Sequence, residues 1–390
     1  MLAYILVSET RDGLKRSLLA LEMYCEQWKL SVNSTKTKIV IFQKRKRPRA
    51  GGDIFTLNSN TLEIVDSFKY LGVEFSANGS FTLAKKAAYD KASRAMFGLL
   101  QTARRQRLPI DVILDLFDKM VLPIMMYGCE IWGYENLALL EKLNLKAIKF
   151  ILHLNKSTKT SMVYGESGRC PLNILAKIRM VGFWADIVMN ANKMSNRIYC
   201  LLRELHDNGT FSSPWLLAIR AILVEAGLEC VWNNNSFSSK ESLLKIIKSQ
   251  LLAKFKLHWR NELEESSKCL LYKNFKQDTA LERNIISLPD PLAFILIKFR
   301  CSNHKLPVEQ GRKFGIERTE RICTKCNMNS IGDEFHLIFE CPSLQVERNK
   351  FIPARFLQVK STYNLCKLLE CKSKKVSLNL AKFLKASKAV

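Results

Sequence analysis

The sequence predicts a mainly α-helical chain with a small α+β piece on its N-terminal side. Two observations predict it. From about residue 108 onward, apolar residues recur at helical spacing in one segment after another. Before that point, short runs rich in Ile, Val, Phe and Thr alternate with polar turns. The modest 16 Gly and 10 Pro in 390 residues argue for packed structure over low complexity.

Along the chain, Leu14, Leu18, Leu21 and Cys25 mark a helix over Asp12–Leu30. Ile39–Phe42 is a short apolar run. Ile54–Leu57 and Leu62–Val65 read as two strands around a polar turn at Asn58–Asn60, and Phe68–Phe75 alternates as a third strand. Ala84–Arg107 is a long basic helix, and Pro109 ends it. Helices are then expected over Ile110–Tyr127, Asn136–His153, Pro171–Lys193, Pro214–Ala226, Lys240–Leu263 and Pro291–Cys301. A softer boundary lies at 207–213, where Asn, Gly and Ser cluster.

Charge is the unusual quantity. Lys and Arg number 61 against 36 Asp and Glu, a formal net charge of +25. Such an excess repels itself unless it faces a polyanion, so RNA and/or DNA is the expected partner. The opening stretch has no basic n-region before its apolar residues, so no secretory signal is expected. The nearest apolar run, Phe294–Phe299, is far below the roughly 18 residues of a membrane span. The expectation is an intracellular protein, in nucleus or cytoplasm, with no membrane partner and with its oligomeric state open. In a reducing compartment the 12 Cys are core thiols or metal ligands, not disulfides.

Four of these residues have metal-ligand spacing. Cys323 and Cys326 form a C-x2-C turn, and His336 and Cys341 follow as H-x4-C. The short turn lets two sulfurs converge, and a helical turn supplies the other pair. Four N/S donors suit one structural Zn²⁺ and leave no open position for catalysis. The intervening segment, Asn327–Phe335, is too polar to fold unaided, so the metal would stand in for a core. Phe335 and Phe339 beside His336 are candidates for an exposed nucleic-acid contact, with core packing the expectation for one of them. Cys25, Cys129, Cys170, Cys200, Cys230 and Cys269 sit among apolar neighbours and are expected to be buried thiols. Cys301 with His304, and Cys366 with Cys371, are the weaker alternative for a second site.

Two basic surfaces are candidates for phosphate contact. The first holds Lys36, Lys38, Lys44, Arg45, Lys46, Arg47 and Arg49, with no acid among them; an import signal is the rival reading. The second is the helix carrying Lys85, Lys86, Lys91, Arg94, Arg104, Arg105 and Arg107, where Lys91, Arg94 and Arg105 fall near one face. No catalytic residue is assigned. Asp111, Asp115 and Asp118 share one helix, but a solvated face near the helix N-terminus explains them, and no close carboxylate pair for two-metal chemistry is evident.

Several stretches in order resemble one family, the reverse transcriptases of LINE-type (non-LTR) retrotransposons, in their C-terminal part. They are Leu30–Lys38 (LSVNSTKTK), Phe68–Val73 (FKYLGV), Val121–Ile124 (VLPI) through Tyr127–Gly133 (YGCEIWG), and Leu306–Arg312 (LPVEQGR) leading into the Cys-Cys-His-Cys segment. The resemblance implies a remnant palm edge and thumb of a polymerase, a helical extension and a terminal CCHC zinc knuckle. It places Lys36 and Lys38 near the nucleic-acid path. Lys69 and Tyr70 fall in the element that steadies a primer end. Where the family carries a Tyr-x-Asp-Asp turn, this chain reads Met1–Ser8 (MLAYILVS), without aspartate. By that departure the chain alone is not expected to be an enzyme. The expected function is a non-catalytic nucleic-acid-binding fragment of a retrotransposon reverse transcriptase. The alternatives are the C-terminal part of a complete RNA-directed DNA polymerase whose upstream catalytic region is missing from this chain, or a domesticated interaction protein or one without function. The expected domains are 1–106 (palm edge and start of thumb), 107–206 (helical thumb and extension), 207–310 (helical), 311–350 (CCHC module) and 351–390 (basic, partly helical tail).

Overall fold

The computed structural model describes residues 5–43 and 54–390. The chain divides into two compact units, Met1–Ala88 and Tyr89–Val390. Helices dominate, and the few strands fall in the first unit.

In the first unit α1 (Arg11–Gln27) starts where the Thr10 hydroxyl accepts the Gly13 N–H at 3.0 Å, satisfying an otherwise orphan donor. Its apolar side, with Leu18, packs over Ile39, Phe55, Leu57 and Leu62. The strands are short: β1 (Lys38–Ile39), β2 (Thr56–Leu57), β3 (Asn60–Thr61), β4 (Glu63–Ile64), β5 (Ser67–Tyr70) and β6 (Val73–Ser76). β1 pairs in parallel with β4, and β2 and β3 form a hairpin. The expected single strand over Phe68–Phe75 is instead a hairpin of β5 and β6, with Tyr70 opposite Val73. The reason is local. Leu71 and Gly72 take φ of 45° and 87°, the two left-handed positions of a two-residue hairpin turn. Gly accepts such a φ freely, and it interrupts an alternation that otherwise reads as continuous.

The helix α2 (Thr82–Gln106) is as long as its pattern suggested. After it come α3 (Ile110–Leu116), a π-turn (Phe117–Val121), α4 (Leu122–Met125), α5 (Cys129–Trp132), α6 (Ala138–Ile151), α7 (Thr160–Ser167), α8 (Leu172–Met189), α9 (Met194–Asp207), α10 (Pro214–Glu225), α11 (Glu229–Asn234) and α12 (Lys240–Glu264). The single helix expected over Ile110–Tyr127 is thus broken. Pro123 has no N–H to continue the ladder, and the Leu122 N–H reaches five residues back to Phe117. The remaining helices are α13 (Tyr272–Phe275), α14 (Arg283–Ile286), α15 (Asp290–Arg300), α16 (Pro307–Lys313), α17 (Gln345–Phe351), α18 (Ala354–Leu357), α19 (Thr362–Leu369) and α20 (Lys374–Ala386).

One apolar core is shared by α8, α10 and α12, with Trp184, Leu216, Ile219, Trp232, Ile247 and Leu251 buried together. Residues 208–213, within the softer boundary, join α9 to α10. A second packing centre is polar. Arg300 and Glu166 are both buried and pair at 2.9 Å, the Tyr272 hydroxyl donates to Glu166 at 3.1 Å, and buried Lys276 pairs with Glu282 at 2.5 Å. Arg300 also donates to the Leu369 carbonyl and lies over the Phe275 ring. Burial alone would raise Glu166, but Arg300 and Lys276 overcome it and hold its carboxyl below the usual range. Gly165 makes this packing possible, since a Cβ there would sit 2.3 Å from the Tyr272 hydroxyl and 3.1 Å from the Trp259 ring. Gly165→Ala should therefore cost about 1–3 kcal/mol by overpacking, read as a lower urea midpoint at unchanged slope.

Cys200 and Cys230 are exposed, contrary to the expectation of burial. On α9 the buried side chain is Tyr199 and on α11 it is Trp232, while both thiols are turned to solvent. Among the described residues no helix is long and apolar enough to cross a membrane.

Candidate metal centre and basic surface

The Cys323–Cys341 segment gathers its four residues. The ligand atoms of Cys323, Cys326, His336 and Cys341 all lie within 4.8 Å of one another, and Cys326 Sγ is 3.3 Å from His336 Nε2. An antiparallel bridge between Ile322 and Ile331 closes the loop that presents the two N-terminal cysteines. The Cys323 N–H donates to the Ser330 carbonyl at 2.9 Å, and the Lys325 N–H points at Cys323 Sγ at 3.4 Å. Gly332 lets this loop lie on the start of the preceding helix α16, because a Cβ there would come 2.6 Å from Pro307 Cγ.

The other pair comes from a π-turn, His336–Glu340, closed by the Cys341 N–H to the His336 carbonyl at 2.8 Å. An α-helix advances about 100° per residue, which would leave residues five apart roughly 140° apart around the axis. The wider turn closes that gap and brings both donors to one side. The Asp333 carboxylate caps the turn by accepting the His336 N–H at 3.0 Å. The far end is held by buried Arg348, which donates to the carbonyls of Ile338 at 2.7 Å and Cys341 at 2.6 Å. Glu340 lies 3.2 Å from His336 Nδ1, so Nε2 is left to face the cysteines. That is the outer-sphere contact that orients ligating histidines.

The thiols differ in setting. The Met328 backbone N–H and the His336 ring outweigh desolvation and bring Cys326 down to about 7, while burial and the neighbouring Cys323 push Cys341 up to about 11. A cation at the centre would favour the thiolate form of all three. His336 and Cys341 are buried and the other two cysteines half-buried, so the group could hold one metal ion. Phe339 is buried and meets half-buried Phe335 edge-on at 5.3 Å; it belongs to the core and is not an exposed platform. The module is tied to the helical body: Lys325 Nζ donates to the Ser387 carbonyl at 2.7 Å and the Lys305 N–H to Ala389 at 2.7 Å.

The weaker alternatives assemble differently. His304 Nε2 faces Glu334 at 2.9 Å, and Cys301, Cys366 and Cys371 are buried thiols raised by desolvation. Asp115 pairs with Lys119 at 2.7 Å and Asp118 with Arg169 at 2.6 Å, so both carboxylates are already committed to cations.

Of the basic candidates, Lys44, Arg45, Lys46, Arg47 and Arg49 lie outside the described residues. Lys36 is exposed in a turn organised by Asn33, whose side chain accepts the Lys36 N–H at 3.0 Å. Lys38 is engaged with Glu63 at 2.6 Å. Lys69 is exposed opposite Glu74 on the β5–β6 hairpin, and Tyr70 is half-buried. On α2, Lys91, Arg94 and Arg105 are exposed, whereas Lys85 is buried and does not belong to a surface. Periodicity alone missed the neighbouring contribution of α6. Lys146 Nζ lies 5.1 Å over the Phe97 ring, and Lys142, Lys146 and Phe150 share one exposed stripe at four-residue spacing. Phe97 is 54% and Phe150 56% exposed, so α2 and α6 offer cations interleaved with aromatic faces. The i, i+4, i+8 spacing of those three residues is the signal that could have revealed it.

No family model matches the chain, and no solved structure matches it. A curated protein is similar: the RNA-directed DNA polymerase from mobile element jockey of Drosophila melanogaster, 22% identical over 148 residues. The aligned stretch is 37% of this chain and 16% of that protein.

Proposed function

We propose that this chain is a nucleic-acid-handling fragment derived from a retrotransposon reverse transcriptase, binding RNA or DNA without polymerising it. One structural zinc ion would sit at Cys323, Cys326, His336 and Cys341. The observation that carries the reading is the contact of Lys146 on α6 with Phe97 on α2, with Arg94 and Arg105 exposed on α2 and Lys142 and Phe150 exposed on α6, in a chain of net charge +25. Cations that track phosphates beside rings that stack bases are the two parts of a single-strand groove. The similarity to a mobile-element polymerase supports the same class of partner. In this reading the first unit is a palm edge, α2 begins the thumb, and Lys36, Lys69 and Tyr70 lie along the nucleic-acid path.

The donor set suits zinc. Bonds of about 2.0–2.3 Å put tetrahedral donors roughly 3.4–3.8 Å apart. The observed spread, within 4.8 Å, closes to that by small side-chain turns. A metal with all four positions filled by protein would hold the loop in shape and supply no activated water.

Binding to a single-stranded RNA should weaken steeply with salt. Arg94→Ala and Arg105→Ala should each lower the slope of log affinity against log salt by about 0.7–1. Filter binding at several salt concentrations measures this, and an absence of binding at low salt would sink the reading. A second reading, part of a complete RNA-directed DNA polymerase, is favoured by the similarity itself. Sequencing the genomic region upstream of the Met1 codon tests it: an in-frame segment carrying three aspartates would favour it over the non-catalytic reading.

A further inference from the structure

The helix α9 buries Tyr199 against the core of its unit. It is pinned there by Arg203, whose guanidinium lies 3.9 Å over the Trp232 ring and pairs with Asp207 at 2.8 Å. That accounts for one side of the helix. A second apolar side is bare. Met194 is 68%, Ile198 51% and Leu201 56% exposed, and Leu205 is half-buried. Their spacing of four, three and four is that of a coiled-coil seam, and at 100° per residue they fall within ~60° of arc. Phe211 extends the stripe past the helix end, its N–H bonded to the Leu205 carbonyl at 3.0 Å, and its ring is also exposed.

The flanking charges indicate what covers this stripe. Arg197 and Glu204 border it on the side away from the core, both exposed, and neither has an ion pair among the described residues. Consider two copies of α9 running antiparallel about a two-fold axis near Tyr199 and Cys200. Met194 then meets Leu205 of the second copy, and Ile198 meets its Leu201, each contact occurring twice. Arg197 of each copy faces Glu204 of the other. A parallel pair would set Arg197 beside Leu202 and leave both charges unmatched. Self-complementarity of this kind is what a two-fold interface requires.

We propose that α9 is a docking surface for a second copy of this chain, joined as an antiparallel helix pair. A two-heptad seam with Phe211 at each end falls at the low end of interface sizes, below about 1,200 Å², so the dimer is weak and concentration-dependent. The test is sedimentation equilibrium of the full chain, freed of nucleic acid as checked by absorbance ratio, over about 1–100 μM. The expected result is a reversible dimer. Ile198→Asp should weaken it at least about tenfold without changing the thermal midpoint, because the side chain is exposed. Arg197→Glu should weaken it too, and Arg197→Glu combined with Glu204→Arg should restore the native affinity. A chain monomeric over the whole range, a dimer indifferent to Ile198→Asp, or a charge swap no better than the single reversal overturns the proposal.

Discussion

Cys326→Ser is expected to reduce bound zinc from one ion per chain to a small fraction of that, and to unfold the loop between Ile322 and Ile331 while most helices persist. The loop has little else to hold it. Its described bonds are a single bridge, a few backbone contacts and the ties of Lys325 to Ser387 and Ser343, and Cys326 itself is only half-buried. Four-ligand zinc peptides owe on the order of 10 kcal/mol of apparent folding free energy to the metal at neutral pH. Here the helical body supports the site through Lys325 and Arg348, so the loss should stay local. Metal analysis of the native chain and the variant, with hydrogen exchange over residues 321–345, measures both parts. A native chain without zinc, or a variant that keeps it with unchanged exchange, would refute the assignment.

The second large effect should come from the buried ion pair. Arg300→Met leaves Glu166 charged and buried with its principal partner gone, and removal of one partner of such a pair costs about 3–5 kcal/mol. Combining it with Glu166→Gln should cost clearly less than the sum of the two single changes, because the two side chains act as one unit. The pH dependence follows in sign. Glu166 is depressed in the folded chain, so its contribution is fully present above the ordinary carboxylate pKa and is lost as pH falls through the lower folded value. Denaturation curves across the acid range should therefore flatten in Glu166→Gln. An acid limb identical to the native one would remove Glu166 from this role.

Much of the helical part was legible in the sequence, and the reasons are specific. The starts of α1, α2, α6, α8, α10, α12 and α15 agree with the periodicity to within two residues, because each buries one long apolar stripe. The four metal-site residues were legible because a C-x2-C turn and a nearby His and Cys are a local pattern. What was not legible depends on distant partners. Glu166 and Arg300 are 134 residues apart, and charged side chains ordinarily stay in water, so nothing in either segment announces a buried pair. The β5–β6 hairpin was hidden because Leu71 takes a left-handed φ that leucine rarely adopts, and only Gly72 hinted at a turn. Lys85 and Cys200 show the limit of reading faces from composition. Lys85 is buried where a charged face was expected, and Cys200 is exposed where a core thiol was expected.

The π-turn at His336–Glu340 has a consequence for how this site can change its length. Residues four apart in an ordinary α-turn already lie about 40° apart around the axis, close enough to share a metal. Deleting one of the four residues between His336 and Cys341 would let the turn tighten to α geometry with both donors still converging. Helix pitch and ligand spacing can thus trade against each other here. A one-residue change that shifts a register elsewhere in the chain would be absorbed within a single turn of backbone.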